Sequence, residues 1–349
     1  MREVMNLEAP VELLSLQEIA EDKIFTFEPS TFDDYLGQSV IKEKLNVYVK
    51  AAKLRDEHLD HVLIFGPPGL GKTTLARVIA KELGVDFKVT SAPVLERAGD
   101  LVAIISSLEP KAVLFIDEIH RLPKNVEEIL YSAMENFCVD VIIGQGAGAK
   151  SIRLPINPFT LIGATTKTGS LSGPLQTRFG IVERIDFYEP AELAAIVEKN
   201  ANFLGMPIEP AAALIIGKRG RGTPRVVKRI MRRVRDFAQV HNCHVIDTVV
   251  VNQALQFLDI DEDGLTKLDR KILVHIIKDF QGGPVGLETL AAMTGEDKDT
   301  LEDFCEPYLI RLGLLQKTSR GRQITPQKII SLKQKLCGEI FETQKSLTE

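Results

Sequence analysis

Gly66-Pro67-Pro68-Gly69-Leu70-Gly71-Lys72-Thr73 sets glycines, a lysine and a hydroxyl in the order GxxxxGK[ST]. Glycines at Gly66, Gly69 and Gly71 let backbone N–H groups turn inward as a nest for anionic oxygens, and a helix N-terminus behind them adds a favourable dipole. The context is right for such a nest: an apolar run at 61–65 precedes the loop and a helical pattern at 72–83 follows it. In this setting Lys72 neutralises β- and γ-phosphates, Thr73 offers its hydroxyl to Mg²⁺, and Thr74 adds a phosphate contact. The plain alternative is a glycine loop that only turns the chain, and a Lys-Thr pair at this offset counts against it. Further on, the apolar run 112–116 ends in Asp117-Glu118. Neighbouring side chains at a strand's end point differently, so the two acids can divide the work. Asp117 suits Mg²⁺, held through water because that ion sheds its hydration reluctantly. Glu118 suits the orienting and polarising of an attacking water. Acids after a strand are otherwise a solvated strand end, and it is the phosphate loop that favours the chemical reading.

These residues need a rigid frame. The runs 61–65, 112–116 and 159–163 are short, β-rich and closed by turn or polar residues, and helical patterns such as 72–83 and 126–134 lie between them. Strands alternating with helices imply an α/β domain with a parallel sheet covered on both faces. This first domain is assigned to 1–188, including an acidic arm over 1–24. From 189 to 259 the pattern is helical, and Pro190, Pro210 and Pro224 each stand in a first turn, where proline is favoured. After the acidic stretch 259–264 come three amphipathic segments, 267–280, 286–294 and 298–312, then a strand pair around Ser319-Arg320-Gly321. Three helices and a β-ribbon outline a winged helix-turn-helix over 262–337. The polar tail is expected to fray.

Composition narrows the partners. A chain of 349 residues exceeds one core, and 44% hydrophobic with 26% charged residues is ordinary for a soluble protein. Tryptophan is absent, which disfavours an aromatic platform for sugars. Net charge is −5, so binding to nucleic acid requires basic charge gathered locally. Residues 308–335 supply it, with Arg311, Lys317, Arg320, Arg322, Lys328, Lys333 and Lys335 and no acid. A basic ribbon contacts phosphates without reading bases; a solvated charged face is the alternative. The basic run 218–235 is read mainly as subunit interface. Cys138, Cys243, Cys305 and Cys337 lie far apart, as reduced thiols do, and no signal pattern or membrane-length apolar stretch is seen, so a cytoplasmic protein is expected. His241-Asn242-Cys243-His244 lacks a fourth ligand at useful spacing for a metal, and His120 is read as structural.

Gly66–Thr74 and Ile116-Asp117-Glu118-Ile119-His120-Arg121-Leu122 resemble the AAA+ ATPases. Phe159–Thr166, Arg178-Phe179-Gly180-Ile181-Val182, Arg221-Gly222-Thr223-Pro224-Arg225, Gly282–Leu287 and Glu306–Ile310 narrow the likeness to the RuvB family of Holliday-junction branch-migration motors. The resemblance implies an AAA+ P-loop domain, a helical lid and a winged-helix DNA-binding domain. It also implies an ATP- and Mg²⁺-dependent DNA translocase that acts in recombination and repair as a homo-hexameric ring. It makes Thr166 the polar sensor of the γ-phosphate, Arg178 the arginine finger for a neighbouring subunit's site, Arg225 the second sensor, and Tyr188 a residue packed near the nucleotide. Lys317 and Arg322 fall at DNA-contacting positions, with Arg320 beside them and Lys298 assisting. Residues 139–154, with Val141, Ile142, Ile143 and Ile152, match a hairpin that docks a RuvA-type junction-recognition protein; a RuvC-type resolvase is a further candidate partner. The chain departs from the family pattern at Glu28 and Gln176, both usually arginine, at 144–150, and at Lys317. A divergent paralogue that binds nucleotide and partners without motor activity is the alternative reading, against which Glu118 and Arg178 speak. A clamp-loader-like ATPase is disfavoured by the winged-helix C-terminus.

Overall fold

The computed structural model of the chain describes residues 27–143 and 150–336. The acidic arm, the side chains of Val141, Ile142 and Ile143, most of the departing segment 144–150 and the polar tail lie outside the described residues. By internal contacts the chain divides into two compact units, residues up to 217 with 222–232, and residues 218–221 with 233 onward.

In the first unit, helix α1 (Ser39–Arg55) leads to β1 (Val62–Phe65), α2 (Lys72–Leu83), β2 (Phe87–Ser91), α3 (Ala98–Ser106), β3 (Val113–Asp117) and α4 (Lys124–Asn136). A hairpin of β4 (Cys138–Ile143) and β5 (Lys150–Pro155) follows, then β6 (Thr160–Thr165), the short α5 (Gly173–Gln176) and β7 (Ile181–Arg184). The main sheet runs β2-β3-β6-β1-β7, every pairing parallel, with Val62 opposite Ile162 and Ile181, and Val113 opposite Phe87 and Thr160. The central strands are apolar almost throughout because both their faces are covered. Phe115, Phe159, Ile64 and Leu114 are fully buried there. This order lays β6 between β1 and β3. The loops leaving all three strands therefore open at one edge of the sheet, which is where α/β sheets bind ligands.

Two edge strands lay outside the sequence expectation. β2 is half-buried along most of its length. β7 inverts the usual pattern, with Glu183 inward and Val182 outward; Lys44 Nζ, 3.2 Å away, compensates the buried carboxylate. Helices α6 (Pro190–Phe203), α7 (Pro210–Arg219) and α8 (Pro224–Val240) each begin on the proline that marked them. α9 (Thr248–Phe257) is capped by Asp247, whose carboxylate accepts the Val250 N–H at 2.8 Å.

In the second unit, α10 (Lys267–Phe280) starts with a Thr266/Asp269 capping box and α11 (Leu287–Thr294) follows. The segment expected as one helix over 298–312 is instead a π-helical stretch, Thr300–Cys305, and then α12 (Glu306–Arg311). Pro307 has no N–H to donate to the fourth carbonyl back, so regular α-helical bonding cannot run through it. Strands β8 (Leu315–Thr318) and β9 (Gly321–Ile324) form the antiparallel ribbon, and Ile272, Leu273, Leu309, Leu315 and Ile324 share its core. Val285 bridges to Arg322 through two 2.8 Å backbone bonds. That approach requires glycine at Gly321 (φ 131°), where a Cβ would lie 2.3 Å from the Val285 carbonyl oxygen. No helix among the described residues is long and apolar enough to cross a membrane.

Candidate active site

At the sheet edge a cleft of about 330 Å³ is lined by Gly69, Gly71, Lys72, Thr73, Thr74, Asp117, Glu118, Thr166 and Arg225. All nine are marked by their motifs in the sequence. The loop conformation explains its glycines: Gly66 (φ 146°), Gly69 (78°) and Gly71 (93°) all have positive φ, and a Cβ on Gly66 would meet the Ile185 carbonyl oxygen at 2.3 Å. Gly66 itself does not line the cleft, but its carbonyl and that of Pro67 each accept a 2.9 Å bond from Lys72 Nζ. Burial pushes the Lys72 ammonium down to about 8, against the opposing pull of Asp117 and with a further push from Arg225. Such a cation is short of counter-charge and suited to an anion. The Arg225 N–H donates to the Gly69 carbonyl at 3.2 Å, so the helix that carries this arginine rests on the phosphate loop.

Asp117 Oδ1 accepts the Glu118 N–H at 2.9 Å. Glu118 sits in the left-handed region (φ 50°), and its carboxylate takes a 2.8 Å ion pair from Arg121. Thr73 and Asp117 are hard oxygen donors in one cleft, a set that fits Mg²⁺. His120 Nδ1 lies 3.0 Å from Thr165 Oγ1, which also accepts the Lys167 N–H. Burial holds the imidazole below its usual pKa, Glu118 opposing. His120 thus buttresses the turn that presents Thr166.

Arg178 stands apart from the cleft. Its guanidinium donates to the Pro174 carbonyl at 2.6 Å, pairs with Glu135 at 3.0 Å and lies over the Tyr131 ring at 4.4 Å. Gln176 donates to the Thr168 and Leu171 carbonyls, both at 3.1 Å, and so shapes the turn before it. Tyr188 is buried, its hydroxyl 3.0 Å from that of Tyr35 and 3.2 Å from the Leu70 carbonyl. Burial raises both phenols, Tyr35 to about 12 and Tyr188 further. The two tyrosines face a second cavity with Phe27, Pro29, Leu36, Ile196 and Asn200, a mainly apolar, aromatic slot fit for a flat ring, with the Asp34–Lys199 ion pair (2.8 Å) also on its wall. Slot and cleft adjoin, sharing Gly71, Thr74, Pro224 and Lys228. Sequence reasoning missed most of the slot, along with Arg121, Lys228 and Arg232. The last two belong to the basic run read as subunit interface, yet they line the cleft. The only signal for them was helical spacing from Arg225.

Residues 27–185 match the Holliday junction DNA helicase RuvB P-loop domain, 188–261 the RuvB AAA lid domain, and 262–333 the RuvB C-terminal winged helix domain. Among solved structures, the Thermotoga maritima RuvB Holliday junction branch migration motor is 49% identical with a TM-score of 0.77, over 88% of this chain and 98% of that one. A point mutant of Thermotoga maritima RuvB matches at 49% identity and a TM-score of 0.79, over 88% and 99%. The chain belongs to the RuvB family.

In this RuvB-family chain the wing is less freely basic than its composition implied. The acid-free window 308–335 stops short of Glu302 and Glu306, which fold onto the ribbon. Arg322, 9% exposed, is held through two nitrogens by Glu306 at 2.5 and 3.2 Å, while Lys317 pairs with Glu302. Lys335 pairs with Asp263 at 2.6 Å and Lys298 with Glu288. Arg320 is exposed at the ribbon's turn. On the RuvB-type hairpin, Ile152 and Leu154 are exposed.

Proposed function

We propose that this chain hydrolyses ATP and spends that energy driving branch migration of Holliday junctions, as a hexameric ring with a RuvA-type partner. The observation that carries the reading is the convergence of Lys72, Thr73, Asp117, Glu118, Thr166 and Arg225 on one cleft while Arg178, the candidate finger, lies outside it. A cleft complete except for one arginine is what a site shared between subunits requires. The protein would divide into an ATPase domain (1–188), a lid (189–259) and a winged-helix domain (262–337).

In this mechanism the loop N–H groups and Lys72 bind the β- and γ-phosphates, giving Lys72 anionic oxygens in exchange for two loop carbonyls. Thr73 and Asp117 would hold Mg²⁺, which when bound spreads the phosphates' negative charge. Glu118 orients the attacking water and takes its proton on a carboxylate oxygen. To do so it must loosen its pair with Arg121. Thr166 reports the γ-phosphate, and Arg178 reaches the neighbouring site, where a planar, permanently charged guanidinium spreads over several oxygens. The base enters the Phe27–Tyr188 slot. Arg225 ties the phosphate loop to α8, so loss of the γ-phosphate shifts the lid, and that rigid-body motion moves the DNA. Lys317 and Arg320 contact DNA phosphates without regard to sequence, and Lys298 assists. Arg322 joins them only by leaving Glu306. The exposed apolar residues of the hairpin dock the RuvA-type partner. The non-motor paralogue is not favoured, since each residue that its chemistry would dispense with is present.

A branch-migration assay on a synthetic four-way junction, with and without a RuvA protein, tests the reading. ATP-dependent movement stimulated by RuvA is expected. Nucleotide binding without DNA-stimulated hydrolysis or movement would favour the paralogue.

A further inference from the structure

Glu28 is an acid among cations. It lines the phosphate cleft together with Lys72, Arg225 and Lys228, while its chain neighbours Phe27 and Pro29 line the base slot. The segment 27–29 thus runs along the join between the two cavities. Resting on the nucleotide reading above, we infer that Glu28 recognises the sugar, its carboxylate accepting hydrogen bonds from the ribose hydroxyls of the bound nucleotide.

Three observations converge on this. The sugar is the covalent link between base and phosphates, so it must cross the join where Glu28 stands. A carboxylate is acceptor-only: it repels phosphate oxygens and has little to offer a mainly apolar ring slot whose one lysine facing it from Ile196's helix, Lys199, is already paired with Asp34, whereas a vicinal diol presents it with two O–H donors. Bonds on either side of Glu28 also hold its segment in place. The Phe27 N–H donates to Asn200 Oδ1 at 3.1 Å, and the Phe27 carbonyl accepts Lys228 Nζ at 3.1 Å. On the other side Lys81 Nζ donates to Ser30 Oγ at 3.0 Å. Arg77 lies 3.6 Å from the Glu28 carboxylate, close enough to orient it while the side chain remains 39% exposed and open to further partners. A pre-placed acceptor gains most of its hydrogen-bond energy, because little freedom is lost on binding.

The test is isothermal titration of the full chain with ADP, 2′-deoxy-ADP and 3′-deoxy-ADP in the presence of Mg²⁺, repeated on Glu28→Ala and Glu28→Gln. A hydrogen bond to a charged group predicts that the wild type binds ADP about tenfold tighter than at least one deoxy nucleotide. Glu28→Ala should bring that ratio near one, and Glu28→Gln should leave it in between. Removing a negative charge near phosphates shifts all three affinities together, so the ratio within each variant isolates the sugar contact. Both substitutions alter a partly exposed side chain on a segment held by the backbone of Phe27, and a thermal melt verifies the fold. A wild-type ratio near one, or a ratio unchanged in both variants, overturns the assignment. Failure of the wild type to bind any of the three overturns instead the nucleotide reading beneath it.

Discussion

Raising the pH from 7 to 9 should strip charge from Lys72. Burial sets this ammonium at about 8 in the nucleotide-free protein. Phosphate oxygens favour the protonated form, so binding must raise the value and draw in a proton wherever the free protein has lost it. The sign is therefore fixed: affinity is full well below pH 8 and declines as pH rises through it. If the bound value lies above the range tested, the apparent dissociation constant grows by the factor 1 + 10^(pH−8). That factor is about 1.1 at pH 7, about 2 at pH 8 and about 11 at pH 9, an overall loss of about 1.4 kcal/mol. Proton uptake on binding should be about one half at pH 8 and about nine-tenths at pH 9. Isothermal titration with ADP in buffers of different ionisation enthalpy measures both quantities at once. The secondary phosphate ionisation, near pH 6, falls below this window. Tyr35, at about 12, and Tyr188, pushed higher, stay protonated across it. Lys72→Arg keeps its charge throughout and should lose the pH step even where its geometry weakens binding. Wild-type affinity that stays flat between pH 7 and 9, with no proton uptake, refutes the picture of a buried, charge-starved lysine waiting for phosphate.

Glu118→Gln should retain nucleotide affinity but lose at least about a hundredfold in turnover, since the water loses its base while the phosphate nest is untouched; near-normal hydrolysis would remove Glu118 from that role. Arg178→Ala and Lys72→Ala should each hydrolyse poorly alone yet regain activity when mixed, because some interfaces then join a sound loop to a sound finger. Mixtures that never exceed the sum of their parts would rule out a shared site. Lys317→Ala with Arg320→Ala should flatten the slope of log DNA affinity against log salt by about one unit per lost phosphate contact, equally for unrelated sequences. Arg322→Ala should instead destabilise the winged-helix unit by about 3 kcal/mol, by leaving the buried Glu306 with only Lys317, 4.0 Å away, in place of its two-pronged guanidinium, a difference that thermal denaturation resolves.

How much of this was legible in the sequence depended on how local each determinant is. The phosphate loop and the Asp117-Glu118 strand end were readable because glycine spacing, apolar run and candidate catalytic residue lie within a few positions of one another. The proline-led helices α6, α7 and α8 were readable for the same reason. β7 was not, because Glu183 faces inward only by virtue of Lys44, far back on α1, and no period-two pattern survives that exchange. Lys228, Arg232 and the aromatic slot other than Tyr188 became visible only when tertiary contacts brought them to the loop, and Arg121 only through its pair with Glu118. The wing gives the sharpest case. Counting charge along 308–335 yields a purely basic segment, yet its most buried cation, Arg322, is matched in two-pronged fashion by an acid two residues outside that window. DNA must compete with Glu306 for this guanidinium, and leaving the pair would give up both short bonds of a carboxylate that is 5% exposed, with only Lys317, 4.0 Å away, to offset the loss. Breaking a buried pair costs several times what one phosphate contact at the surface returns. In the proposed function the sequence-independent grip of the wing would therefore fall to the exposed Lys317, whose pair with Glu302 lies at the surface, and to Arg320, with Arg322 keeping the ribbon rigid beneath them.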